Sequence, residues 1–471
     1  MTTLVVLPST IISDIGGDHH AFRGSDRGSG YWMGNSILRH CDKLFATWQS
    51  YDPNAGAGNQ KYQVWVATNQ LGTSVWSAPV ALSFPSTMTH PMDNHGVGTI
   101  IADQYGFLHV FYGPHYNDPL LEAVSQNPWD ASAFPSAKTA KLPTTSWTEM
   151  TTPSVARDGA GTLHLLHVGR NGPGSLEPLV YRSGTPGLSG QTIWQAPVAL
   201  AAATGLGRTS IYSATIAVSR TGGTDTLHVA FQLWPDLTVT NAYTKAYAAT
   251  RWAYLRSSNG GLTWLDWHGN FTTLPVTSGS TAFVEKNPMI DVRVCNIAID
   301  PNGDPWISVF YLPNPAVHAI PFDTRLWRLS GGQWSSISLG AALAAAGLTS
   351  RVAFATITFD AQGVLYVAAE LFDRGDTSAD SATTANSAWY GKSKEVAVLM
   401  STDLGQTFQI YPISPVDPTR PHWLANIERP TTSDPMPVPA LLYTDGGFVP
   451  QVPNAPPPPP TDIVFVPLYK H

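Results

Sequence analysis

Charge is scarce in this 471-residue chain: Asp, Glu, Lys and Arg make up 13% of it, about half the ~25% of an ordinary globular protein. A disordered chain is polar and highly charged. One with 43% hydrophobic residues is a folding sequence instead. Cysteine is almost missing. Cys41 and Cys295 cannot build a disulfide framework, and no C-x-x-C pair suggests zinc. Two free thiols are expected. Long apolar runs are missing as well: none approaches ~18 residues, so no membrane span is expected. The Met1 to Ile15 segment is apolar but carries no Lys or Arg ahead of its apolar run, which makes it a poor secretory signal. A basic excess is also absent. Lys and Arg number 26 against 33 acids, a net charge of −7, which argues against non-specific nucleic-acid binding. An acidic polymer could still bind where positive groups concentrate.

What is abundant points one way. There are 16 Trp, 40 Gly and 39 Pro. Helical bundles and coiled coils tolerate neither so much Gly nor so much Pro. Aromatic, Thr and Val residues punctuated by Gly and Pro read as many short strands joined by turns.

One hairpin pattern recurs: an apolar strand, a tight Asp/Gly turn, a second apolar strand. It runs from Gly98 to Tyr112, from Ser154 to His167, from Thr215 to Phe231, from Asn296 to Tyr311 and from Thr356 to Glu370, with a degenerate first copy from Ser36 to Trp48. The second-strand anchors Leu44, Leu108, Leu163, Leu227, Trp306 and Leu365 are 55 to 79 residues apart, enough for one four-stranded unit each. A seventh unit is weaker, with strands expected over Trp423 to Pro430, Val438 to Thr444 and Thr461 to Tyr469. Ser257 to Trp264 and Ser401 to Phe408 fit the Asp-box turn, whose Ser, Asp and Asn side chains bond the backbone while Gly supplies positive φ. Radial repetition of small sheets limits exposed edges. The expected fold is therefore all-β: a seven-bladed propeller of four-stranded antiparallel blades, a single domain over residues 1–471. A proline run, Pro456 to Pro460, should feed the last strand back to close the ring. The one helix expected spans Leu339 to Leu348.

The repeat also sorts the 14 histidines. His109, His164 and His228 each follow the anchor leucine, and His167 falls where other copies carry Tyr or Phe. A residue that recurs at one blade position is there for packing or hydrogen bonding. His95 and His115 do not recur. They lie in Asp93-Asn-His-Gly96 and Tyr112-Gly-Pro-His115, and reflection about the turn puts both at the open end of one hairpin. Arg170, Tyr212 and Arg351 fall at the same end of later units. Hairpins of a propeller point the same way, so these groups share one face with Asn94.

Two His, one Tyr and one Arg are not a hydrolase pair, which usually needs two carboxylates. They suit β-elimination beside a uronic acid. There a cation neutralises the sugar carboxylate, a neutral His takes the C5 proton, and an acid protonates the departing O4.

Asp-Asn-His-Gly followed by a hairpin ending Tyr-Gly-Pro-His resembles the BNR-repeat propeller polysaccharide lyases, above all the ulvan lyases. The match is sharp over Asp93 to Tyr116 and diffuse elsewhere. The resemblance implies a seven-bladed propeller and eliminative cleavage of a uronate-containing, ulvan-like polymer. It assigns His95 as base, with Arg170 and His115 on the carboxylate, and Tyr212 or His115 as acid. Asn94 and Arg351 would contact substrate. The resemblance breaks at Thr152-Pro153, where the family carries Tyr-Pro and the Tyr is a proton donor. No metal or other cofactor is expected. The expected partner is an anionic polysaccharide outside the cell or at its surface, met by a monomer. Two other readings stay open: a non-catalytic carbohydrate-binding propeller, or adhesin, and a sialidase-like glycoside hydrolase.

Overall fold

A computed structural model describes residues 3–13, 23–24, 28–51, 62–84, 95–113, 119–143, 149–170, 178–202, 211, 213–233, 251–277, 279–286, 290–313, 323–372, 393–418, 420–430, 436–446 and 461–470. Seven antiparallel sheets follow one another along the chain, and their inner strands pack side by side around an axis. The fold is the expected seven-bladed propeller. Blade two shows the plan in its plainest form, with strands Thr99–Ala102, Leu108–Tyr112, Leu121–Val124 and Thr139–Lys141 ordered from the axis outward. The only α-helix among the described residues, Leu339–Ala345, ends a turn earlier than expected. No helix among them is long and apolar enough to cross a membrane.

Blade seven is mixed in origin. His422–Ile427, Leu441–Asp445 and Asp462–Val466 supply three strands, and Thr10–Ile11 from the other end of the chain supplies the outermost. Leu4–Val6 then pairs with Leu468–Lys470. The last strand thus closes the ring as expected, but it does so by taking an N-terminal strand onto its edge. Pro456 to Pro460 lie outside the described residues.

Alternation along the strands explains the core. Each blade is apolar on both faces and buries them against its two neighbours. Seven buried clusters fill the seven interfaces. An eighth sits at the axis, where Tyr31, Trp32 and Met33 meet Cys295, Phe354 and Leu424. The axial cluster exists because inner strands bulge. Register shifts fall between Thr151 and Ser154, Val294 and Ile297, Val352 and Ala355, and Trp423 and Asn426. An extra residue re-aims side chains that would otherwise follow the pleat.

The turn end of each hairpin is built alike. Asp103, Asp158, Asp300 and Asp360 each accept turn backbone N–H groups through Oδ1. Oδ2 of each meets the second strand, at His109 Nε2 3.3 Å, His164 Nε2 3.1 Å, Trp306 Nε1 3.2 Å and Tyr366 Oη 3.0 Å. In blade four Ser219 takes the place of the aspartate, with Oγ 2.7 Å from His228 Nε2. Two outer turns are tied by side chains: Asn259 Oδ1 accepts from Thr263 N at 3.0 Å, and Asp403 Oδ1 from Thr407 N at 2.9 Å.

Candidate active site

The recurrent histidines are structural, as the repeat implies. His109 is fully buried between Asp103 and Glu122, with Nδ1 2.8 Å from Glu122 Oε1. Burial would lower its pKa, but the two carboxylates outweigh burial and raise it to about 9. His228 sits between Ser219 and the Tyr254 hydroxyl, 2.6 Å away. Burial, helped by the Arg256 charge, pushes His228 down to about 3. His167, also buried, accepts from Arg182 Nε at 3.2 Å and is likewise pushed to about 3 by burial and that guanidinium.

His95 has a different setting. It is half-buried just ahead of Thr99–Ala102, at the end of the blade away from the turn. Its ring stacks on Tyr31, with centroids 5.9 Å apart and planes at 21°. A small cavity joins His95 to Tyr31, Met33, Thr152 and Pro153. Thr152, the position where the lyase pattern is broken, therefore stands beside the histidine that carries it. Thr152 is itself unusual. Its φ is 52°, a left-handed conformation that a β-branched residue rarely adopts. Its buried Oγ1 has no hydrogen-bond partner. Strain and bulging of this kind cluster at functional sites.

Arg170 ends the strand Leu163–Arg170, paired with Glu149, and Arg351 opens the strand Arg351–Phe359, paired with Phe372. Both therefore lie at the open ends of their hairpins, as His95 does. Arg351 is half-buried. The side chain of Arg170 and all of Asn94, His115 and Tyr212 lie outside the described residues. Among those described, no three His, Cys, Asp or Glu side chains converge as a metal ion would require.

The segment around Tyr31 was not singled out by the sequence, yet it organises this face. It plugs the axis and is held from blade seven. Asn426 Nδ2 donates to the carbonyls of Tyr31 and Gly34, each at 3.1 Å. Arg429 Nη1 donates to Met33 O at 3.1 Å, and Nη2 to Trp32 O at 2.9 Å and to Gly34 O. Burial pushes Arg429 down to about 9. Trp32 stacks on Phe354 with centroids 4.0 Å apart. Below it, Lys394 Nζ meets Glu370 Oε2 at 2.8 Å, both side chains fully buried. Nζ also lies 5.1 Å above the Trp423 ring. Burial lowers the Lys394 pKa even against the pull of Glu370.

His422, at the open end of blade seven, was also missed. It lies between Glu395 at 3.0 Å and Asp445 at 3.3 Å. Burial opposes its charge, but the two carboxylates prevail and raise it to about 9. An imidazolium held in this way cannot take a proton near neutrality.

The sequence model of the BNR repeat-containing family matches residues 43–341. No curated protein sequence matches the chain. Among solved structures, a polysaccharide lyase that is an ulvan lyase superposes with a TM-score of 0.62 at 15% identity, over 90% of this chain and 92% of that one. The same figures hold for an ulvan lyase bound to -[GlcA(1-4)Rha3S]-. The polysaccharide lyase Uly1 gives a TM-score of 0.55 at 12% identity, over 98% of both chains.

Proposed function

Because the chain belongs to the BNR repeat-containing family and has the propeller fold of the ulvan lyases, we propose that it is a polysaccharide lyase acting on a uronate-containing, ulvan-like polymer. The observation that carries the reading is His95. It is an unrepeated, half-buried histidine, stacked on an aromatic ring beside a strained bulge, on the face where the open hairpin ends gather. The ulvan lyase with bound -[GlcA(1-4)Rha3S]- supports a substrate in which a uronate is the reacting sugar.

In this reaction Arg170 and His115 neutralise the uronate carboxylate, which makes the C5 proton acidic. Neutral His95 takes that proton. The electron pair forms the C4=C5 double bond as the C4–O4 bond breaks, and Tyr212 or His115 gives O4 its proton. Asn94 and Arg351 hold neighbouring groups. Thr152 has no acidic hydroxyl to offer, so the proton donor falls to one of those two residues. The enzyme works as a one-domain monomer, outside the cell or on its surface, where anionic polysaccharides of this size occur.

The test is ultraviolet absorbance of the unsaturated uronate during incubation with ulvan and other uronate polymers. A rise is expected, and His95→Ala should lower its rate by about 10²–10⁴-fold, the usual contribution of a general base. Binding without any rise over a broad panel would make the protein an adhesin. New reducing ends without absorbance would make it a hydrolase.

A further inference from the structure

On the turn face, opposite His95, blades four and five enclose a cavity of about 490 Å³, within the size range of small-ligand sites. Arg256, Trp267, His268, Asp304 and Gln333 line it. The repeat shows what is odd about it. Arg256 pairs with His228 in blade four, as Arg328 pairs with Trp306 in blade five. The two arginines are thus the same position in successive blades. In blades two, three and six that position holds Val124, Ser183 and Met400, which carry no charge. Arg328 has its counter-charges within the fold: Asp300 at 3.0 Å and Asp304 at 2.9 Å. The counterpart of Asp300 in blade four is Ser219, a neutral residue engaged with His228. Arg256 accordingly forms no ion pair with any described residue, and its buried Nε has no hydrogen-bond partner. A guanidinium left like this beside an open cavity lacks an anion.

The walls suggest what bears the anion. The Trp267 and His268 rings lie against each other with centroids 3.5 Å apart and planes tilted by 30°. Trp267 is fixed by its Nε1 bond to Phe283 O at 3.4 Å, and His268 is exposed. Gly331 and Gly332 turn at φ 57° and 76° with open space where a Cβ would stand, which leaves the rim bare. Asp304 and Gln333 supply acceptors and donors for hydroxyls. An aromatic ring pair, a planar cation and hydroxyl-seeking polar groups in one concavity match an acidic sugar.

We infer that this cavity is a second carbohydrate site, which binds an acidic sugar unit with its anionic group on Arg256. The site is separate from the open face and does not rest on the eliminative reading.

The test is a titration of the full chain with glucuronic acid, glucose and inorganic sulfate, followed by NMR on the His268 ring. Saturable shifts with glucuronic acid are expected, with glucose and sulfate each at least tenfold weaker. Arg256→Gln should weaken glucuronic acid at least tenfold. Ser219→Asp should do the same while leaving Arg256 in place, by supplying the carboxylate that blade five already has. Thermal melts of both variants check that they fold. The proposal is overturned if both folded variants titrate like the parent, or if glucose matches glucuronic acid. Equal binding of sulfate and glucuronic acid would reduce the site to a simple anion site and overturn the sugar assignment. Absence of lyase activity would not affect this readout.

Discussion

The two ends of the hairpins obey different rules. At the turn end one solution returns in blade after blade: an aspartate closes the turn and reaches across to the second strand, as Asp103 does to His109 and Asp360 to Tyr366. At the open end the backbone bulge recurs, with Thr152 and Leu424 both at positive φ, but the side chains differ from blade to blade. Blade two offers His95 on Tyr31, blade three a strained Thr152, and blade seven a histidine gripped by two acids. Repetition marks where the fold satisfies itself. Its failure marks where groups are available for other chemistry, and blade four carries such a failure to the turn end, at Ser219 and Arg256.

That contrast can be attacked at several strengths. The largest effect should come from the foundation of the open end. Lys394→Met leaves Glu370 as a buried charge without its cation and should cost about 3–5 kcal/mol in denaturant unfolding. Adding Glu370→Gln should recover part of it. An unchanged midpoint would mean that the axial plug does not depend on this pair.

Next comes pH. His109 is raised from 6.5 to about 9, so its contribution is full below pH 6.5 and is lost as pH rises through about 9. The loss approaches about 3 kcal/mol. His422 acts in the same direction. His167 and His228, lowered to about 3, work in the opposite sense. Their unfolded forms take up protons first, so stability falls as pH drops below 6.5 towards 3. Thermal midpoints across this range should peak near pH 6.5, and His109→Gln should flatten the alkaline side. A parent curve flat from 6.5 to 9 would show that the turn-end network does not hold a charged imidazole.

A smaller effect should appear in catalysis. Tyr31→Ala removes the ring on which His95 stacks and should lower kcat about 10–100-fold, as misplacement of a reacting group does. Tyr31→Phe keeps the stack and should restore most of the rate. The smallest effect is at Thr152. Glycine accepts φ 52° without strain, so Thr152→Gly should gain about 1 kcal/mol or less, since the unfolded chain also gains freedom.

Much of this was legible because repetition is a property of sequence. The hairpin copies and the structural histidines could be read from spacing alone, but the fifth anchor is one residue off: Pro305 stands where Leu108 and Leu365 do, and Trp306 stands where His109 does. The three strands of blade seven were legible even though that unit is degenerate, because Trp423, Val438 to Thr444 and Thr461 to Tyr469 keep strand composition. The plug was not. Tyr31, Trp32 and Met33 owe their position to Asn426 and Arg429, at the far end of the chain, and no local pattern encodes such a contact. Thr10–Ile11 is too short to announce itself as a strand and is one only because Asp462–Val466 lies beside it. In the candidate site, unrepeated motifs singled out His95 and placed Arg170 and Arg351 at open strand ends. The neighbours of His95 depend on a bulge, and bulges leave little trace in composition. The missing counter-charge of Arg256 could have been read by aligning Ser219 with the turn aspartates.

The shared blade has a consequence for the order in which the molecule can be made. Thr10–Ile11 is made before the other strands of its blade and Asp462–Val466 only after six blades have followed, yet the two pair with each other. The early blades have only local hairpins to form and can assemble while synthesis continues. The clasp cannot form until Asp462–Val466 emerges. Contacts this distant in sequence form slowly, so a nearly finished ring with one open side should be the longest-lived species on the way to the native protein.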